Sequence, residues 1–139
     1  MLYGTIGSLH YHSNITQAKK PVATGIHGIS DHLLDTPWPK VVSAENAFRQ
    51  TVGVDVPHVG ALFDLLRYRR TAEMFDLRDT GLPLERERQF VSIFIQGADY
   101  GTRCSTVIMV RNDGHVLFEE RTFHPVEAVA RRFEFMTAT

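Results

Sequence analysis

No other feature restricts the fold of this chain as much as Asn112-Asp113-Gly114, which sits between two β-rich runs, Arg103 to Val110 and Val116 to Phe123. Asp-Gly is a strong hairpin signal because both residues tolerate positive φ. A two-residue and a three-residue loop both satisfy it, and the choice decides which side chains share a face. In either case Val107 to Val110 and Val116 to Phe118 lie toward the turn. The other end carries Arg103, Cys104, Ser105, Thr106, Glu119, Glu120, Arg121 and Thr122. A hairpin with one apolar end and one polar end is suited to buttress a site at the polar end.

The rest of the chain reads as mixed α and β. Ile6 to Tyr11 reads as a strand ending near Ser13-Asn14, and Thr16 to Pro21 as a polar connecting turn. Val22 to Ile29 reads as a second strand, bulged or closely approached at Gly25 and Gly28. Pro37 and Pro39 hold the chain extended, and Pro39 suits a first helical turn because its missing N–H needs no partner there. Val41, Ala44, Phe48 and Val52 then recur at helical spacing until Gly53. Val59, Leu62, Phe63 and Leu66 make one stripe of a second helix, Val59 to Arg67. Arg69 to Leu82 reads as loop, Leu84 to Phe90 as a short helix and Val91 to Ile95 as a strand. The alternating Glu85-Arg86-Glu87-Arg88 reads as a solvated helix face.

Composition narrows the function classes. Fifteen basic and sixteen acidic residues among 139 give a formal charge of −1, so no global field selects nucleic acid or an anionic membrane. No apolar run approaches the ~20 residues of a membrane span. No export signal is evident, so the expected location is cytoplasmic. Cys104 is the lone cysteine, which excludes an internal disulfide. The length suits one domain over residues 1–139.

Three stretches carry a resemblance: Leu9 to Asn14 (LHYHSN), Gly25 to Val41 (GIHGISDHLLDTPWPKV), and Tyr100 to Val107 (YGTRCSTV), the last followed by the Asp-Gly hairpin and Glu120-Arg121-Thr122-Phe123. In order and spacing they resemble the C-terminal half of the NRDE proteins, also called the transport and Golgi organisation 2 family. LLDTPWPKV is the most specific of the three. The resemblance implies an α+β fold: an antiparallel sheet with helices packed on one side, half of the αββα sandwich of N-terminal-nucleophile hydrolases. Family members usually open with Met-Cys and carry an Asn-Arg-Asp-Glu motif. This chain has Leu2 at that position and no such string, Asp31 where Asn is common, and Cys104 where Ser is common. The chain is therefore expected to be the second half of such a protein, through truncation, a late start codon or a split gene, or else a freestanding paralogue.

The candidate site residues follow from motif and chemistry together. Arg103 offers a planar five-donor fork suited to an oxyanion or a substrate carboxylate, and the competing expectation is an ion pair with Glu119 or Glu120. Ser105, Asn14, Ser30 and Asp31 are further pocket-lining candidates, although an ionised Asp31 only accepts hydrogen bonds and would repel an oxyanion. In Asp35 to Lys40, Asp35 or Thr36 is expected to satisfy free N–H groups at the helix start. Trp38 and Lys40 are the ligand-contact candidates of that string. His10 and His12, two apart on a strand, point to one side and are weak metal or haem-ligand candidates lacking further ligands. His27, His32, His58, His115 and His124 have no informative spacing. Cys104, beside Arg103 in a predicted strand, reads as a small buried hydrophobe in preference to a nucleophile.

Two functional readings result. In the first, the chain is scaffold and pocket wall for a protein whose implied chemistry is hydrolysis of a linear amide, inactive alone because it lacks the N-terminal cysteine. In the second, the resemblance implies haem or acyl-lipid binding without turnover. Half of a two-sheet sandwich leaves an apolar sheet face uncovered, so association with an upstream half or with a second copy is expected.

Overall fold

The computed structural model describes residues 1–5, 7–17, 19–30, 32–53, 57–69, 92–124 and 129–137. Among the described residues it is α+β, with two three-stranded antiparallel sheets and two helices. Met1–Asn46 and Ala47–Thr139 form two compact units. The single sheet expected from sequence is therefore a pair of separate sheets, one in each unit.

In the first unit β1 (Leu2–Thr5), β2 (Ser8–His12) and β3 (Lys19–Pro21) are hydrogen-bonded in chain order. The register pairs Leu2 with Tyr11, Tyr3 with His10, and His10 with Pro21. The predicted strand at Ile6 to Tyr11 corresponds to β2, and β1 precedes it. Gly4 has φ +144°, and a Cβ there would lie 2.1 Å from the Ser8 carbonyl oxygen, so only glycine fits this tight hairpin. Lys19–Pro21, expected to be turn, pairs as an edge strand, where a proline nitrogen is tolerated. The predicted strand at Val22 to Ile29 is absent. Val22 N–H donates the last ladder bond, to the Leu9 carbonyl at 2.8 Å, and local bonds then claim the backbone beyond it.

α1 (Pro39–Val52) begins at the expected proline and ends before Gly53. The boundary between the two units falls inside it. α2 (Val59–Leu66) buries Leu62 and Phe63, the stripe expected from spacing. Among the described residues no helix is long and apolar enough to cross a membrane.

In the second unit β4 (Cys104–Val110), β5 (His115–Thr122) and β6 (Val129–Met136) form an antiparallel meander. The turn resolves the loop-length question. Gly114 N–H donates to the Arg111 carbonyl and Arg111 N–H to the His115 carbonyl, both at 2.9 Å, and Gly114 has φ +84°. That is a three-residue loop with a bulge at the glycine, pairing Val110 with Val116 and Ser105 with Arg121.

This register sorts the two faces. Leu62 and Phe63 pack against Val107, with Val52, Val59, Leu66 and Met109 around them. On the opposite face Ile108, Phe118 and Phe133 form one cross-strand row, and Val110, Val116 and Phe135 the next. Ile108 is 60% exposed, Phe133 57% and Phe135 53%. On β6 the charged Arg132 and Glu134 alternate with these phenylalanines, so the uncovered side is the aromatic one. Ser92 to Phe94 is bent and Gln96 makes only an isolated bridge to Gly101, so the predicted strand at Val91 to Ile95 is not formed over Ser92 to Ile95, Val91 lying outside the described residues. Here Ile95 N–H is satisfied by the Thr102 hydroxyl at 2.9 Å instead of a neighbouring strand. The predicted helix Leu84 to Phe90, with its charge run, and all but the start of the Arg69 to Leu82 loop lie outside the described residues.

Candidate functional site

In the first unit the distinctive GIHG and DTPWPK strings fold onto each other through Asp35. Its backbone sits at φ +58°, a left-handed conformation that costs a non-glycine residue about 1 kcal/mol or more and so needs surrounding support. The support is threefold. Asp35 N–H donates to the Gly28 carbonyl at 2.8 Å, Gly28 N–H donates back to Asp35 Oδ1 at 3.0 Å, and His27 Nδ1 lies 2.8 Å from Asp35 Oδ2. A Cβ on Gly28 would meet Val41 Cγ1 at 2.5 Å and Glu45 Oε1 at 2.9 Å, so the absence of a side chain lets this loop lie against α1. The expected helix-capping role of Asp35 and Thr36 is thus corrected. Asp35 clamps the preceding loop, and the Thr36 hydroxyl donates to the Leu33 carbonyl at 2.9 Å.

The ring of His27 bridges two acceptors, because its Nε2 lies 3.0 Å from the Ala23 carbonyl. Neutral imidazole has one N–H, so both bonds are made only by the imidazolium. The Asp35 carboxylate raises the His27 pKa above its ordinary 6.5; desolvation opposes this, while the Ala23 carbonyl and the charges of Asp35 and Glu45 add to it. A folded pKa above the unfolded one means the added stability is fully present below pH 6.5 and is lost as pH rises through the folded value. We expect the His27 ring resonances to titrate above those of a free histidine, and Asp35→Asn to bring them down. Equal midpoints in the two proteins, by NMR, would refute the clasp.

The sequence candidates of this unit are placed as follows. Lys40 Nζ lies 5.5 Å from the centroid of the Trp38 ring, and His32 lies beside the same ring at 5.6 Å. The two ligand-contact candidates are therefore neighbours. Ser30 is half-buried in a bend and not at the end of a strand, while Asp31 lies outside the described residues. Asn14 is on an exposed turn, its carbonyl accepting from Gln17 Nε2 at 2.9 Å. His10 stacks on Tyr3 at 5.6 Å. His12 Nδ1 is buried without a hydrogen-bond partner. Among the described residues no group of three or more His, Cys, Asp or Glu is placed to hold a metal ion.

In the second unit the polar end of the hairpin is organised around Glu119. Glu119 is only 6% exposed. It accepts from Arg121 Nε at 2.9 Å and has Arg132 Nη1 at 3.7 Å. The Arg121 guanidinium in turn lies 3.8 Å from the centroid of Phe63, so the buried charge is held by an ion pair seated on the core. The ion pair expected between Arg103 and Glu119 or Glu120 is not formed. Glu119 is taken by Arg121 and Arg132, and Glu120 accepts from the Thr106 hydroxyl at 3.4 Å, on the other face. Ser105 is buried opposite Arg121, on the face that the register also gives to Arg103. Cys104 is half-buried on the opposite face, paired with Thr122. Sequence reasoning missed His27 and the Glu119–Arg121–Phe63 stack. The first had no signal beyond a histidine between glycines, and the second depends on cross-strand register.

A family model described as Transport and Golgi organisation 2 matches residues 1–125. The Transport and Golgi organization protein 2 homolog of Bos taurus is 33% identical over 115 residues, covering 75% of this chain and 41% of that protein. The Transport and Golgi organization 2 homolog of Mus musculus is 31% identical over 122 residues, covering 81% of this chain and 44% of that protein. The Homo sapiens homolog is 30% identical over the same length. The chain thus spans less than half the length of the curated relatives it matches.

Proposed function

This chain belongs to the Transport and Golgi organisation 2 family, and we propose that it supplies the scaffold and one pocket wall of a larger, cytoplasmic protein body of the αββα type. One observation carries the reading: the aromatic face of the β4–β6 sheet, with Ile108, Phe133 and Phe135 all more than half exposed. These exposed side chains flank the buried Val116 and the half-buried Phe118, and an apolar patch of this kind commonly meets a partner. The relatives extend well beyond the matched part, and the proposed partner is that remaining half or, in its absence, a second copy of this chain. If the assembled protein turns over a substrate, the implied reaction is hydrolysis of a linear amide. Its nucleophile would be an N-terminal cysteine, where this sequence has Leu2. The test is light scattering of the isolated chain, followed by amide-hydrolysis assays with and without the upstream half of a relative. Association, and activity only in the reconstituted pair, is the expected result; a dye-free monomer or activity of this chain alone opposes it.

A second reading, haem or acyl-lipid binding without turnover, has the orphan His12 Nδ1 in its favour, since a buried polar atom without a partner needs an explanation. Titration with haemin then gives a Soret shift that His10→Ala/His12→Ala abolishes. An unchanged shift in that variant removes the reading.

A further inference from the structure

We propose that the helix-facing side of the second unit, at the polar end of the β4–β5 hairpin, binds the oxyanion group of a small molecule, a carboxylate or phosphate, through Arg69 and Arg103. The inference is independent of the assembly reading, which concerns the opposite face of the sheet.

The observations form a continuous run of contacts. Just beyond α2, Arg67 lies with its guanidinium 5.2 Å from the centroid of Phe123, and Arg69 lies 5.2 Å from that of Phe94. The two rings meet edge to face at 4.9 Å. Phe94 is buried, and its N–H donates to the Tyr68 carbonyl at 3.3 Å, which ties the segment carrying Arg69 to that ring. Arg103 joins from the sheet. Phe123 N–H donates to its carbonyl at 2.7 Å, extending the ladder one pair beyond Cys104 and Thr122. Directly opposed residues of an antiparallel pair share a face, so Arg103 lies on the same side as Phe123, Ser105 and Arg121.

The chemistry of this arrangement favours an anion. A guanidinium stacked on a ring uses its π face and keeps its N–H edge for a planar bidentate acceptor. Arg121 and Arg132 are engaged by Glu119, and Arg111 by Asp113 at 2.7 Å. Arg69 and Arg103 are exposed and make no ion pair among the described residues. Of the other arginines on the sheet and its turn, Arg131 alone is also without an ion pair among the described residues, and the register sets it with Glu120 on the opposite face. Arg69 lies over the Phe94 ring and Arg103 on the strand end opposite Phe123, and like charges brought to one end of a sheet attract a counter-ion.

The test is calorimetric titration of the whole chain with inorganic phosphate and with acetate at low ionic strength. Saturable binding of at least one is expected, and the tighter of the two identifies the headgroup. Arg103→Gln and Arg69→Gln each weaken it about tenfold, whereas Arg103→Lys, which keeps the charge and loses the fork, weakens it less. Arg111→Gln, at the hairpin turn, leaves it unchanged. No saturable binding of either anion overturns the proposal, as does a loss in Arg111→Gln equal to that in Arg103→Gln, which reduces the effect to net charge.

Discussion

Phe63→Ala lowers the unfolding free energy by about 3–5 kcal/mol, the range for truncating a fully buried aromatic. Phe63 has no exposed surface and centres the cluster of Leu62 and Val107. Two costs add. The missing ring leaves a cavity between α2 and β4, whose rigid neighbours close it only in part. The ring is also the platform for Arg121, so its loss frees the guanidinium that pairs with the buried Glu119. Because a whole domain is stable by only ~5–15 kcal/mol, a substantial unfolded fraction is expected near physiological temperature. Phe63→Leu retains most of the volume and loses the cation–π contact, and is expected to cost about 1–2 kcal/mol. Urea unfolding followed by circular dichroism measures both. A loss under about 1 kcal/mol for the alanine variant would mean that Phe63 does not hold this unit together.

Phe133→Asp/Phe135→Asp is expected to abolish the proposed association of the isolated chain and leave a monomer of 15.8 kDa. Each phenylalanine is more than half exposed, so with Ile108 and Val110 the open face amounts to several hundred Å² of apolar surface. At about 25 cal/mol per Å² that is on the order of 10 kcal/mol of gross driving force per copy. Lost rotational and translational freedom offsets much of it. Two buried carboxylates remove the remainder, since each must be desolvated against an apolar partner. The same substitutions touch nothing on the α2 side of the sheet, and the urea midpoint of the monomer should move little. Analytical ultracentrifugation separates this account from edge-strand pairing. If association persists in the double variant, the open edges of β4 and β6 are responsible instead.

Local signals were legible wherever the chain's own periodicity sets the outcome. The stripe at Val59, Leu62, Phe63 and Leu66 became α2, Pro39 opened α1, and Asp113-Gly114 turned the hairpin, because each depends on neighbours within a few residues. The candidate residues Arg103 and Ser105 were legible as a motif. Their surroundings were not, since Phe94, Phe123 and Arg69 reach the same place from distant parts of the chain.

Sequence by itself determined α1, α2 and the place of the β4–β5 turn, since φ preferences and side-chain period are properties of adjacent residues. Tertiary structure alone decided the rest. Val22 to Ile29 has β-like composition, but Asp35 and His27 take up its backbone and ring groups in a clamped loop. Likewise, only the three-residue loop put Glu119 beneath α2 and the phenylalanines of β6 on the open side. A one-residue change of register would have reversed those faces without altering a single amino acid.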